Sequence, residues 1–449
     1  MALEALAGTS MRTDSVALMT AALVAACSEA DLSTRLESWT ISVEPTASIG
    51  VVEGDSAFLF QRIVDARFTS GGGIVVADGG LSVLRVYDPD GAFVAQMGRR
   101  GDGPGEFQEL RGIWTVSPDT VAAWDSRALR LTYFGGDHSA ARTVSLESAN
   151  ATVGVGRLDF LAGALRDGSV VIGSVALADE PGADRVTIER ISTRGEHLDR
   201  LGETTGLLRA RLAERITGPV PFSPYPYVAT YGDIVYHTNG TEPVVTAWSP
   251  TGERTIAFPA HDYDVEREWS SVAAEVEKRN VAPFVRAVAT APRPESIPHL
   301  AGLLIDEAGR IWAKRYEPGT DAIWLGGGGR AGGGTWWVAD PGGRLIAAVQ
   351  VPAGFAPLQV EETRVLGVTV DSLGVERVEV RAISRQETYL KPSHDLPKLL
   401  SRLRATSLCS SAPWARRRAA ELHRVVMMRL GPATDFPTLG IRERQHVDG

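Results

Sequence analysis

Residues 74–91, IVVADGGLSVLRVYDPDG, return 47 positions later as TVAAWDSRALRLTYFGGDH, with Asp125 in register with Asp78 and Phe134 with Tyr87. A third copy, IVYHTNGTEPVVTAWSPTG, keeps the spacing and puts Asn239 at the aspartate position and Trp248 at the aromatic one. Each copy reads as a β-rich run, a turn at the Asp or Asn, a second run of alternating apolar residues and a second turn. The closing half recurs in RISTRGEHLDRLG (190–202) and WVADPGGRLIAAV (337–349), and a last copy, VLGVTVDSLGVERVEV (365–380), has only a short turn between its strands. Units of this kind bury their faces only against one another, so the chain must stack them.

Repeats of about 40 residues holding four short strands indicate a β-propeller. Six blades fit, near 61–98, 108–146, 158–202, 226–259, 298–352 and 355–385. The expected fold is all-β, a six-bladed β-propeller over 49–390 with a helical insertion, 262–290, between blades four and five. The 47 glycines and 25 prolines, without a collagen-like period, suit many strands joined by turns. A formal net charge of -9 argues against a generally basic nucleic-acid surface, so no nucleic-acid partner is expected. The two cysteines, Cys27 and Cys409, lie outside the repeats, which excludes a disulfide scaffold and a cysteine metal cluster.

Cys27 closes MRTDSVALMTAALVAAC, in which Arg12 precedes an apolar stretch, Ser15 to Ala26, too short to span a bilayer comfortably. Val24-Ala25-Ala26-Cys27 resembles the lipobox of bacterial lipoproteins. The resemblance implies cleavage before Cys27, diacylglycerol on its thiol and, with Ser28 rather than aspartate next, passage to the outer membrane where there is one. The alternative is a buried cysteine in an N-terminal helix. Residues 1–27 are then a signal peptide, whose translation starts at Met1 or Met11, and 28–48 a tether, with SWTISVEP leading into the first strand. After about residue 390 the repeat pattern ends. Residues 391–449, with nine arginines from 401 on, read as an Arg-rich tail, disordered or weakly helical, and carry no assigned function.

VADGGLSVLRVYDPDGAFVAQMGRRGDGPGEF resembles NHL-type repeats and bacterial six-bladed β-propeller lipoproteins. By that resemblance GRRGDGPGEF (98–107) is the crossing from the outer strand of one blade to the inner strand of the next. It lacks the lysine and the helix of a phosphate-binding P-loop. Chain direction reverses at every turn of a blade with strands a to d, so b–c turns and d–a crossings share one face. That face collects Asp78, Arg99, Arg100, Asp102, Asp125, Arg127 and Asn239, the candidate binding face. The competing reading has Asp78, Asp125 and Asn239 accepting hydrogen bonds from their own turn amides, and the arginines solvated.

Catalytic signatures are sparse: the eight histidines form no HExxH pair and no GxSxG elbow occurs. Some six-bladed propellers are calcium-dependent lactonases, and by that resemblance Asp65, Asp159, Glu362 and His299 are the inner-strand candidates for a channel site, the three carboxylates as metal ligands. DYDVEREWSSVAAEVEKRNVAPFVRAV (262–288) places Val265, Trp269, Val272 and Val276 at helical spacing, with Asp262 or Asp264 as cap. It packs on the propeller rim or forms a lid over a channel mouth. LGGGGRAGGG (325–334) reads as a flexible insertion in blade five. The expected protein is a monomeric, lipid-anchored envelope module that binds a protein or small ligand without a cofactor. The alternative is a calcium-dependent hydrolase of the lactonase type.

Overall fold

The computed structural model describes residues 36–386 apart from 118–119, 155, 214–215, 279–292 and 323–331. Cys27 and its lipobox, the tail after 390 and most of LGGGGRAGGG lie outside the described residues.

Blade one shows why these sequences form stacked sheets. Its strands are β3 (Ile63–Phe68), β4 (Ile74–Asp78), β5 (Val83–Tyr87) and β6 (Phe93–Met97), joined as an antiparallel meander after two short N-terminal strands, β1 (Glu37–Ile41) and β2 (Ala47–Ile49). All of β4 is buried. Alternation then sends Ile74 and Val76 to one side, against Leu366 and Val368, and Val75 and Ala77 to the other, against Ile113 and Phe134. A strand apolar on both faces is stable only between two other sheets. Each fully buried valine or isoleucine there contributes roughly 1.5–3 kcal/mol.

A two-residue pair, β7 (Arg99–Arg100) and β8 (Glu106–Phe107), leads into blade two: β9 (Leu110–Ser117), β10 (Thr120–Asp125), β11 (Arg130–Phe134) and β12 (Ala140–Ser145). A short helix, α1 (Glu147–Val153), precedes blade three, which comprises β13 (Arg157–Ala164), β14 (Val170–Ala176), β15 (Gly182–Ile191) and β16 (His197–Ala213), extended by β17 (Ile216–Pro219). Blade four holds β18 (Tyr227–Tyr231), β19 (Ile234–Thr238), β20 (Val244–Ser249) and β21 (Gly252–Ala257). A helix, α2 (Val265–Lys278), lies between it and blade five, β22 (Leu300–Ile305), β23 (Ile311–Arg315), β24 (Gly334–Ala339) and β25 (Leu345–Val351). A four-residue helix, α3 (Pro318–Asp321), sits in the b–c connection of blade five. Blade six consists of β26 (Phe355–Val360), β27 (Arg364–Val370) and β28 (Glu376–Gln386). The inner strands β3, β9, β13, β18, β22 and β26 contact one another in that order, and β26 returns to β3, so the ring is closed around a channel.

The stretch expected as a tether is corrected here. Residues 37–41 and 47–49 are strands of the ring. β1 runs parallel to β25 and antiparallel to β28, and β2 continues upward along β28 as the edge of blade six. The last blade has three strands of its own, and the N-terminal segment supplies the fourth. Trp39 is 2% exposed and packs 5.7 Å from the Trp312 ring, with Arg385 and Arg310 over its ring at 4.4 and 5.2 Å. Blade three also departs from expectation, because β16 and β17 extend the sheet well past residue 202.

Candidate functional site: the two ends of the channel

On the face formed by b–c turns and d–a crossings, Asp78 and Asp125 are 0% exposed. Asp78 accepts hydrogen bonds from the amides of Gln61, Arg62, Gly80 and Leu81, at 3.0–3.2 Å. Asp125 repeats the pattern one blade on, with Gln108, Glu109, Arg127 and Ala128, at 2.7–3.1 Å. Each carboxylate fastens its turn to the start of its own blade's inner strand, with Arg85 at 3.6 Å and Arg130 at 3.9 Å as counter-ions. These two residues are removed from the candidate binding face, since neither presents an atom to solvent. Asn239 binds the Thr241 amide at 3.1 Å and donates to Thr205 at 2.8 Å.

GRRGDGPGEF is built around Glu106. Its carboxylate accepts from the Gly103 amide at 2.8 Å and from Arg99 at 2.7 Å, and these bonds hold it below the ordinary carboxylate range. Arg100 donates to the Gly80 carbonyl at 2.9 Å, and Asp102 accepts from the Gln108 amide group. Gly98 has φ of +72°, and a Cβ there would lie 2.4 Å from the Phe107 ring, which is itself fully buried against Phe134. The arginines brace the loop. Of the expected face, Arg127 is the residue whose side chain is exposed without a partner among the described residues.

The same end carries a cap over blades four and five. The Asp264 carboxylate accepts from the Arg267 amide at 3.1 Å and caps α2. Trp269 and Val272 bury its inner side with Phe222, Ile297, Ala301, Tyr316 and Ala322. The side chain of Val276 lies outside the described residues. Beneath the cap, Tyr263 bonds the Tyr316 carbonyl at 2.6 Å, and Lys314 is fully buried against Asp321. Burial pushes the Asp321 carboxyl up, only partly offset by Lys314. The Tyr225 and Tyr227 phenols are pushed up by burial as well, and Asp159 adds to the effect on Tyr225 while Arg111 opposes it. Asp159, half-buried, lies near the start of inner strand β13 at this end.

The three carboxylates expected to ligate calcium do not converge. Asp65 sits in the channel wall, where it accepts from the amides of Ala66 and Ile113 and pairs with Arg67 at 3.1 Å. Glu362 lies in the turn between β26 and β27, at the opposite end from the b–c turns, held below its ordinary range by Arg385 and Arg310. His299 accepts the His261 amide at 3.1 Å. Among the described residues no group of three or more His, Cys, Asp or Glu side chains is placed to hold a metal ion.

The channel instead opens at the a–b end. A cavity of about 370 Å³ there is lined by residues of all six inner strands, among them Arg67, Trp114, Leu161, Val228, Leu304 and Leu358. A second hollow of about 250 Å³ shares Trp114, Ala164 and Gly232 with it and reaches the rim at Val116 and Arg166. The ionisable groups on the larger cavity are engaged. Arg67 is bonded to Asp65 and to the Leu358 carbonyl at 2.7 Å; Asp306 accepts from Arg310 and Trp312; Glu307 accepts the Glu362 amide. Among the described residues, the buried hydroxyls of Thr115 and Thr230 have no hydrogen-bond partner. Sequence reasoning missed this end. The inner-strand run LRGIWTV (110–116) carried the signal, with Trp114 and Val116 where a water-filled channel needs polar residues.

A family model described as a 6-bladed beta-propeller matches residues 52–151. No curated protein sequence matches the chain. Among solved structures, an exported protein of Bacteroides fragilis is 11% identical with a TM-score of 0.44, over 78% of this chain and 99% of that one. Virginiamycin B lyase of Staphylococcus aureus is 8% identical with a TM-score of 0.38, over 77% and 99%. A gluconolactonase of Xanthomonas campestris is 12% identical with a TM-score of 0.38, over 76% and 99%. Likenesses of this size say nothing of function. The ring of six inner strands and the description of the matched family agree that the chain folds as a six-bladed β-propeller.

Proposed function

We propose that the protein is a binding module of the cell envelope, anchored through an acylated Cys27, that takes an uncharged apolar ligand, or an apolar side chain of a protein partner, into the a–b end of its channel. One observation carries this reading: Trp114, Leu161, Val228, Leu304 and Leu358 give the cavity an apolar part beside the neutral Thr115, Thr230 and Gln359, and its charged groups already have partners. A volume of about 370 Å³ falls in the range of small-ligand pockets, roughly 300–1,000 Å³. An apolar body is transferred there from water without stripping a charge.

The test uses the full chain carrying Cys27→Ala and the neutral fluorescent probe N-phenyl-1-naphthylamine. Saturable, equimolar binding is expected, lost in Ala164→Trp at the cavity mouth and kept in Arg127→Ala on the opposite face. Binding that survives Ala164→Trp in a folded protein, or disappears in Arg127→Ala, places the site elsewhere. Calcium-dependent lactone hydrolysis abolished by Asp159→Asn would replace the binding reading with the enzymatic one.

A further inference from the structure

The direction of β1 fixes which side of the propeller lies next to the anchor. Outer strand β25 ascends from the c–d turn of blade five towards the face of b–c turns, and β28 descends from the b–c turn of blade six. β1 is parallel to the first and antiparallel to the second, with Glu37 opposite Ala347 and Ser38 opposite Gln386. The chain therefore enters the ring at the a–b end, where the cavity opens between the ends of the inner strands. Residues 28–36 separate Cys27 from β1, so the ten Cα steps from 27 to 37 reach at most about 35 Å. An inner strand of six residues is about 20 Å long, and the cap stands above the other end. A linker of this length that ran back up the outside of the ring would spend about 20 of its 35 Å on the way, before the cap is passed.

From this we propose, resting on the acylation of Cys27, that the a–b mouth of the channel faces the membrane and takes the acyl chain of a lipid from it. The mouth suits that neighbour. Val116 and Tyr231 stand 39% and 40% exposed beside it, and Trp114 and Leu304 continue the apolar surface inward. Acyl chains gain about 0.8 kcal/mol for each methylene withdrawn from water. A membrane within reach of the linker supplies them at high local concentration, whereas the capped end is turned away.

The experiment places a bimane label at Val116→Cys or at Leu373→Cys, the latter in the b–c turn of blade six, each in a Cys409→Ser background. The acylated proteins are bound to phosphatidylethanolamine and phosphatidylglycerol vesicles carrying a headgroup nitroxide. Quenching at position 116 is expected to exceed that at 373 several-fold. A linker lengthened by twenty Gly/Ser residues after Ser33 should shrink the difference. Equal quenching, or stronger quenching at 373, overturns the orientation while leaving the anchor intact. Failure of the acylated protein to bind vesicles at all overturns the anchor and this inference together. Lipid extracted from vesicle-incubated Cys27→Ala protein should be equimolar with the chain and several-fold lower in Ala164→Trp. An empty wild-type cavity, or equal lipid in a folded Ala164→Trp, overturns the acyl-chain assignment.

Discussion

The junction between blades one and two and the junction between blades five and six solve the same problem with opposite means. At the first, everything is local. Asp125 fastens a b–c turn to an inner-strand start only 16 and 17 residues away, Phe107 fills the gap between the sheets, and GRRGDGPGEF carries the chain across. At the second, β1 arrives from more than 300 residues away and is hydrogen-bonded on both edges, while Trp39 plugs the seam. A local junction forms as soon as its segment is ordered. The closing junction joins segments more than 300 residues apart, so it carries the larger loop-closure entropy, and the integrity of the ring depends on it.

That contrast orders the expected effects of mutation. Trp39→Ala should be the most damaging, removing a buried indole from the closing seam and costing about 3–5 kcal/mol in chemical denaturation. A loss below 1 kcal/mol would mean the ring is closed by other contacts. Asp125→Ala should follow at about 3 kcal/mol, because it leaves four amides without their acceptor and the Arg130 guanidinium without its counter-ion. Asp78→Ala should match it, and unequal losses would break the equivalence of the two staples. Gly98→Val should cost about 2 kcal/mol, combining a positive φ with a clash against Phe107.

The junction between blades three and four supplies a pH-dependent effect. His237 is stacked 3.8 Å from Trp248, neither ring nitrogen has a hydrogen-bond partner among the described residues, and burial holds its pKa down from 6.5 to about 4. The unfolded chain therefore binds more protons between those values. Stability from this residue is complete above about pH 6.5, falls as pH drops towards 4 and levels off below. His261, also held down to about 4, contributes with the same sign. Urea melts across this range should show a shallower slope in His237→Phe than in the wild type, and an unchanged slope would exclude His237 as a source. Smallest of all, Arg99→Ala should leave the melting temperature unchanged, since its partner Glu106 keeps the Gly103 amide and Arg99 is 78% exposed.

Much of the ring was legible because it repeats. The 47-residue register linking Asp78 to Asp125 carried strand order, turn positions and the competing structural reading of both aspartates, all from contacts within one blade. The amphipathic spacing of Trp269 and Val272 was readable for the same reason. Asp65 and Glu362 were misleading, because an inner-strand carboxylate looks alike in sequence whether it points at a metal or at an arginine two residues away or two turns across. Arg67 stands two residues from Asp65, but Arg310 and Arg385, the partners of Glu362, are found only in space.

The sequence by itself determined the stacked architecture, since alternation and turn chemistry act over two to twenty residues. It could not show that SWTI belongs to the ring. A single strand has no repeat to match, and the two edges it pairs with, β25 and β28, lie more than 300 residues away. The location of the cavity was decided in the same way. Trp114, Leu161, Val228, Leu304 and Leu358 come from five separate blades, and closure of the ring brings them around one space.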